Sequence, residues 1–165
     1  MDRIDWIGQI SGAGRTRLCG SMDFLMEHGE ITEAIIGCAF KVYNRMGYGF
    51  LESVYEKCLA IELERAGLQV STQTPITVYY EGIDVGHFVA DLLVQDTVIV
   101  ELKSVRAINT AHEVQLVNYL TATGKPVGLL LNFAERKAEG VRKIRTLPRA
   151  IETGQPDPAH PVHPV

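Results

Sequence analysis

The chain has 165 residues, 46% of them hydrophobic and 22% charged, with a formal net charge of −4. That length builds one domain with a real core, and the composition is ordinary for a globular protein. It excludes a bilayer-spanning helix, because no apolar run is long enough, and it excludes a globally basic nucleic-acid binder. An acidic site that recruits a cation, with a local basic patch beside it, stays open.

Residues 1–29 are Gly-rich and show no sustained period. Asp2, Asp5, Gly8 and Gly12 interrupt any secretory h-region, so this stretch reads as a poorly structured extension, with Met22 or Met26 as alternative starts. Cys19, Cys38 and Cys58 are too few and too widely spaced for a disulfide framework or a zinc knuckle. They read as free thiols in a reducing cytoplasm.

A single domain is expected over residues 30–148. Ile31, Ile35, Cys38 and Val42 recur at one-face spacing and predict a helix over 31–46. "NRMGYG" breaks it. A second helix runs from Glu52 to Ala66, with Val54, Cys58 and Ile61 facing inward, and Gly67 stops it. "LQVSTQTPITVYY" reads as a strand interrupted near Pro75, followed by a turn at Glu81–Gly82 and a second strand. Residues 97–103 form a third strand, in which Val98, Ile99 and Val100 suit a central position. A helix over 111–123 precedes a fully buried strand, "VGLLLNF". A last short helix is expected around 135–146. Residues 149–165 are Pro-rich and read as a flexible tail, with His160 and His163 solvated. The order predicts an α/β fold, a three-layer sandwich with a central mixed β-sheet flanked by helices.

Three charges do not fit the core hairpin "ADLLVQDTVIVELKS". Glu101 and Lys103 are two apart in a strand and project from one face. A two-residue loop before Thr97 would put Asp91 and Glu101 on opposite faces. A three-residue loop (Gln95, Asp96, Thr97) pairs Val94 with Val98 and Asp91 with Glu101. Facing carboxylates repel unless a cation sits between them, and with no His or Cys nearby they suit Mg²⁺ or Mn²⁺. Lys103 is then placed to orient a water or stabilise developing negative charge. Alone, the pattern also suits an edge hairpin in which Lys103 neutralises Glu101, although the apolar run "VIVEL" argues against an exposed edge.

Glu52 opens the second helix, where its charge also suits the helix dipole. In "HEVQLVNYL", Gln115 and Tyr119 share a helical stripe with His112. Val114, Leu116, Val117 and Leu120 take the adjoining face. The pair suits the lining of a groove and equally an ordinary boundary position. Residues 136–149 carry Arg136, Lys137, Arg142, Lys143, Arg145 and Arg149 against Glu139, a basic helix that would either contact a nucleic-acid backbone together with Arg106 or lie solvated.

These elements together resemble the PD-(D/E)xK nuclease superfamily and, within it, the small GxxExxY family. "GFLESVY" matches the namesake motif as Gly49-x-x-Glu52-x-x-Tyr55, "ADLLVQDTVIVELKS" resembles the acid-strand-Glu-x-Lys signature, and "HEVQLVNYL" resembles a Gln-x-x-x-Tyr helix motif. Ala90 stands where the superfamily's naming proline would be. The resemblance implies a restriction-endonuclease-like αβββαβ core and metal-dependent hydrolysis of phosphodiester bonds in DNA. It implies Asp91 and Glu101 as metal ligands, with the Leu102 carbonyl and Glu52 as further ones. Lys103 would position the attacking water. Gln115, Tyr119 and Tyr55 would support the site or the phosphate backbone, and Arg106, Arg142 and Lys143 would touch nucleic acid. A non-catalytic nucleic-acid- or protein-binding module on the same fold is the alternative. The expected partners are DNA and a second copy or another protein, with Tyr48, Phe50 and the first helix as an interface; no membrane is expected.

Overall fold

Val98, Ile99 and Val100 lie in the middle strand of a five-stranded sheet and are buried, which is why this run shows no polar alternation. The computed structural model describes residues 28–145. The expected tail, Met22, Met26, Cys19 and Arg149 lie outside the described residues, as does the expected extension up to His28, where the first helix is about to begin.

In chain order the elements are α1 (Gly29–Met46), α2 (Glu52–Arg65), β1 (Val70–Tyr80), β2 (Ile83–Val94), β3 (Val98–Lys103), α3 (Thr110–Thr123), β4 (Val127–Phe133) and β5 (Ala138–Ile144). The strands lie side by side in that same order. β1, β2 and β3 meander antiparallel. α3 carries the chain over the sheet so that β4 runs parallel to β3, and β5 returns antiparallel. Ile35, Cys38 and Val42 of α1 and Tyr55, Leu59 and Leu63 of α2 pack on one face against Leu92, Val100, Leu102 and Leu129. Leu116, Tyr119 and Leu120 of α3 pack on the other against Ile76, Ala90, Ile99 and Leu130. The fold is a three-layer α/β sandwich with a mixed central sheet, of restriction-endonuclease-like form. Cys38 and Cys58 are free thiols. No helix among the described residues is long and apolar enough to cross a membrane.

Several expectations need correction. Residues 138–144 form a strand, not a helix, because β4 offers them a full ladder from Val127↔Ile144 to Phe133↔Ala138. The basic residues there cannot share one helical face. Lys143 pairs with Gly128 and reaches Glu113 of α3, whereas its neighbour Arg142, opposite Leu129, points to the other side. On α2 the buried stripe is Tyr55, Leu59 and Leu63, while Ile61 is exposed and Val54 and Cys58 are half-buried. The Tyr55 ring stacks on Phe133 at 4.2 Å, which sets the rotation of the helix. β1 continues through Pro75, since an edge strand can spare that N–H, and the interruption expected near it falls at Gln73, whose φ is 50°. His112 caps α3 rather than joining the Gln115 stripe: Asn109 Oδ1 accepts from the His112 N–H at 3.1 Å, and His112 Nδ1 accepts from the Asn109 N–H at 3.3 Å. Val114 and Val117 face solvent.

Gly128 lets α3 close on β4. A Cβ there would stand 2.7 Å from Leu116 Cδ1 and 2.9 Å from its Cγ. Leu116 is fully buried and branched, so it cannot swing away. Gly128→Ala should therefore cost about 1–3 kcal/mol. In chemical denaturation, adding Leu116→Ala to Gly128→Ala should cost less than the sum of the two single changes. Strict additivity would show that the helix does not rest on this glycine.

Candidate active site

β2 and β3 are joined by Gln95, Asp96 and Thr97, and Val94 pairs with Val98, the register that sets Asp91 opposite Glu101. Gln95 and Asp96 take left-handed φ values of 53° and 52° to make the turn. The ladder ends, however, at Leu92↔Val100. Beyond it the strands part. The Leu102 N–H, next in line for a partner on β2, is taken by Asp91 Oδ2 at 2.7 Å. A side-chain carboxylate has replaced a backbone carbonyl at the mouth of the sheet.

Glu101 follows the alternation of β3. Ile99, two residues before it, packs beneath α3, and Gln115 of α3 donates from Nε2 to Glu101 Oε1 at 2.9 Å. Gln115 Nε2 also donates to the Tyr119 hydroxyl at 2.7 Å, so the Gln-Tyr pair holds Glu101 and Tyr119 itself is buried. Lys103 Nζ donates to the same Glu101 oxygen at 2.7 Å. Glu101 is 3% exposed, and its other oxygen, Oε2, is buried and accepts no hydrogen bond.

Asp91 breaks the alternation of β2. Ala90 packs under α3, but Leu92, two residues later, packs under α1 and α2. The strand changes phase between them. Asp91 turns toward α2, within electrostatic reach of Glu52 and Glu56 as well as Lys103. The two carboxylates are thus not a simple cross-strand pair on one face, as strict alternation required. They approach the open end of β3 from its two sides, and the negative charge of Asp91 still acts on Glu101.

Burial pushes the Asp91 carboxyl up, against the Leu102 hydrogen bond and Lys103, and Glu52 adds to the rise. Burial likewise pushes Glu101 up, with Lys103 opposing and Asp91 and Glu52 reinforcing. Lys103 is held above the usual ammonium range: its carboxylate neighbours, Glu101 foremost, outweigh the desolvation that would lower it.

Glu52 is the first residue of α2, and its Oε1 accepts from the Ser104 N–H at 3.1 Å. Ser104 Oγ donates to Phe50 O at 3.0 Å. Tyr55 is fully buried and supports this loop: its hydroxyl donates to Gly47 O at 2.8 Å and accepts from the Phe50 N–H at 3.3 Å. An open cleft lined by Tyr48, Phe50, Leu51, Glu52 and Ser104 lies beside it. Arg106 is exposed on the loop after β3. Arg142 and Lys143 lie on β5, facing opposite sides, and are not gathered with the carboxylates.

Two residues at the site escaped the sequence reading. Glu56, one turn beyond Glu52, is 9% exposed and accepts from Gln73 Nε2 at 2.6 Å. Burial first, then Asp91, pushes its carboxyl up. The i, i+4 spacing in "ESVYE" was the available signal. Asn132 is fully buried and ties down the chain after Lys103, accepting from the Val105 N–H and donating to its carbonyl, both at 3.0 Å. A lone polar residue inside "VGLLLNF" marked it.

Among the described residues no three carboxylate, imidazole or thiol groups stand close enough to enclose a metal ion. The donor set nevertheless suits a hard cation. The buried Glu101 and half-buried Asp91 carboxylates repel each other, and one buried oxygen lacks a partner. Magnesium commonly takes one or two carboxylates and keeps its remaining positions for water and phosphate.

The fold is that of a nuclease-like domain. The family model of the PD-(D/E)XK nuclease superfamily matches residues 29–144, and the chain belongs to that superfamily. Among solved structures, it is similar to the crystal structure of SSO0001 at 17% identity and a TM-score of 0.45, over 75% of this chain and 63% of that one. The chain thus spans less than two thirds of that protein's length. It is also similar to an alkaline exonuclease (LHK-Exo) from Laribacter hongkongensis at 14% identity and a TM-score of 0.35, over 70% of this chain and 82% of that one. No curated protein matches the chain.

The Asp91 charge carries a stability cost with a definite sign. A folded pKa above the unfolded one means the ionised group destabilises the fold at neutral pH. That cost disappears as pH falls below the unfolded carboxylate range, about 3.9. Asp91→Asn should therefore melt a few degrees higher than the native protein at pH 7, and the gap should close toward pH 4. Equal melting temperatures at pH 7 would mean that Asp91 carries no such cost.

Proposed function

We propose that this protein is a divalent-metal-dependent nuclease that hydrolyses phosphodiester bonds of DNA, a member of the GxxExxY family working in the cytoplasm. The observation that carries this reading is the meeting of Asp91, Glu101 and Lys103 where β2 and β3 part, with a Glu101 oxygen buried and unpartnered. A structural salt bridge between Lys103 and Glu101 would not call for Asp91, Glu52 and Glu56 to crowd the same strand end at a cost in charge.

Asp91 and Glu101 would hold Mg²⁺ or Mn²⁺, with Glu52 and the Leu102 carbonyl as further oxygen donors. Such an ion neutralises phosphate charge, lowers the pKa of water and stabilises the leaving oxyanion. The chain's own groups set the geometry. The Leu102 N–H fixes one Asp91 oxygen and leaves the other to bind. Gln115 holds Glu101 Oε1, so that Oε2 keeps its freedom. Lys103, kept protonated by its neighbours, acts as a donor and not as a base. It hydrogen-bonds the attacking water and offsets the negative charge that builds on the phosphate.

Nucleic acid would approach from the side of Arg106 and the Tyr48–Ser104 cleft. From Ala66 to Leu102 the chain carries no Lys or Arg, and Glu81 and Asp84 stand at the β1–β2 turn, so this ribbon offers a phosphate backbone no cationic side chain of Lys or Arg. Since Arg142 and Lys143 face opposite sides of β5, they would not form one track. So few gathered cations favour a partner protein or a second copy to supply the rest of the binding surface.

Cleavage of single-stranded, duplex and branched DNA with Mg²⁺ or Mn²⁺, stopped by chelation, is the direct test. Lys103→Ala should lose about 10²–10³-fold in rate. No metal-dependent cleavage by the native chain of any of these substrates would overturn the reading, and full activity in Lys103→Ala would trace the cleavage to a contaminant.

A further inference from the structure

Gln73 adopts φ 50° in the middle of β1, although it is not glycine. Left-handed backbone is unfavourable for such a residue and persists only where its surroundings enforce it. The register places Gln73 opposite Asp91, between the pairs Thr72↔Leu92 and Thr74↔Ala90. β1 changes phase there just as β2 does. Val70 packs under α1 and α2, whereas Ile76, six residues on, packs under α3. Strict alternation would put both on one face. The two strands therefore turn over together at Gln73 and Asp91 without losing register.

A short contact lies at the turn. Gln73 Nε2 donates to Glu56 on α2 at 2.6 Å, a short bond to a carboxylate. The other side-chain bond across the kink, Thr74 Oγ1 to Ser71 O, is 3.5 Å long and contributes little. Without the phase change, Asp91 would follow Leu93 toward α3 and leave the Leu102 N–H.

We propose that Glu56 and Gln73 are positioning residues: their hydrogen bond holds the β1–β2 ribbon in the turned-over state that aims the Asp91 carboxylate at the end of β3. This rests on the reading of Asp91 as a metal ligand only in its consequence for metal binding. The aiming itself is a property of the fold.

The readout that separates the two is hydrogen exchange of the Leu102 amide, followed by NMR. The Val105 amide, bonded to Asn132, serves as the internal control. In Glu56→Ala and Gln73→Val, both checked for folding by circular dichroism, Leu102 should exchange at least about tenfold faster relative to Val105. Glu56→Gln keeps an acceptor for Gln73 and should stay close to the native protein. Native-like Leu102 exchange in folded Glu56→Ala and Gln73→Val would overturn the proposal, as would Glu56→Gln behaving like the disruptive variants. Calorimetric titration with Mn²⁺ is the second arm. Affinity should fall about tenfold in Glu56→Ala and recover in Glu56→Gln, and an affinity unchanged in Glu56→Ala would count against the proposal. No Mn²⁺ binding by the native protein would sink the metal reading, while the exchange result would still decide the positioning.

Discussion

The bond from the Leu102 N–H to Asp91 is the constraint on which the site depends. A backbone N–H at the mouth of a sheet must find an acceptor, and the ordinary one is a carbonyl on the next strand. Here β2 leaves β3 two pairs short of that, after Leu92↔Val100. The carboxylate fills the vacancy, and the same bond that satisfies the backbone fixes one oxygen of an acid in a half-buried position.

An apolar frame surrounds this charged end. β3 is buried between α2 and α3, with Leu102 and Val100 on one side and Ile99 on the other. That burial raises Asp91 and Glu101 and makes each electrostatic contact stronger than it would be in water. Lys103 and Gln115 both serve Glu101 Oε1, and nothing serves Oε2. An unpaired buried oxygen beside two more carboxylates is a cost to the stability of this end of the core.

Much of this was legible in the sequence because it follows from period and turn length. α1 begins within two residues of its expected start, "VGLLLNF" is β4 from end to end, and the odd loop Gln95–Thr97 set the pairing of Val94 with Val98. What escaped depended on contacts between distant segments. β5 carries no apolar alternation of its own and is a strand because β4 is there to pair with it. The α2 stripe was set by Tyr55 meeting Phe133, far along the chain. The phase change at Gln73 and Asp91 is invisible to any alternation rule, since its cause is a carboxylate on a helix. For that reason the two acids could be matched in register from the sequence, yet not in the side from which they approach.

The spacing Gly49-x-x-Glu52-x-x-Tyr55 has a physical explanation on the same terms. Gly47 and Gly49 take φ values of 68° and 108°, which lets the chain leave α1 and turn sharply into α2. Tyr55, three residues into α2 from Glu52, points back along the helix, so its hydroxyl lies under that loop and bonds Gly47 and Phe50. Glu52 stands at the first turn, where the helix dipole favours its charge and Ser104 supplies an N–H. Ser104 in turn grips Phe50, closing a circuit from α1 through α2 to the end of β3. Removing the Tyr55 hydroxyl would free the loop without touching an acid. The buried tyrosine therefore ties down the loop from which Glu52 enters α2, and Ser104 fixes the carboxylate itself.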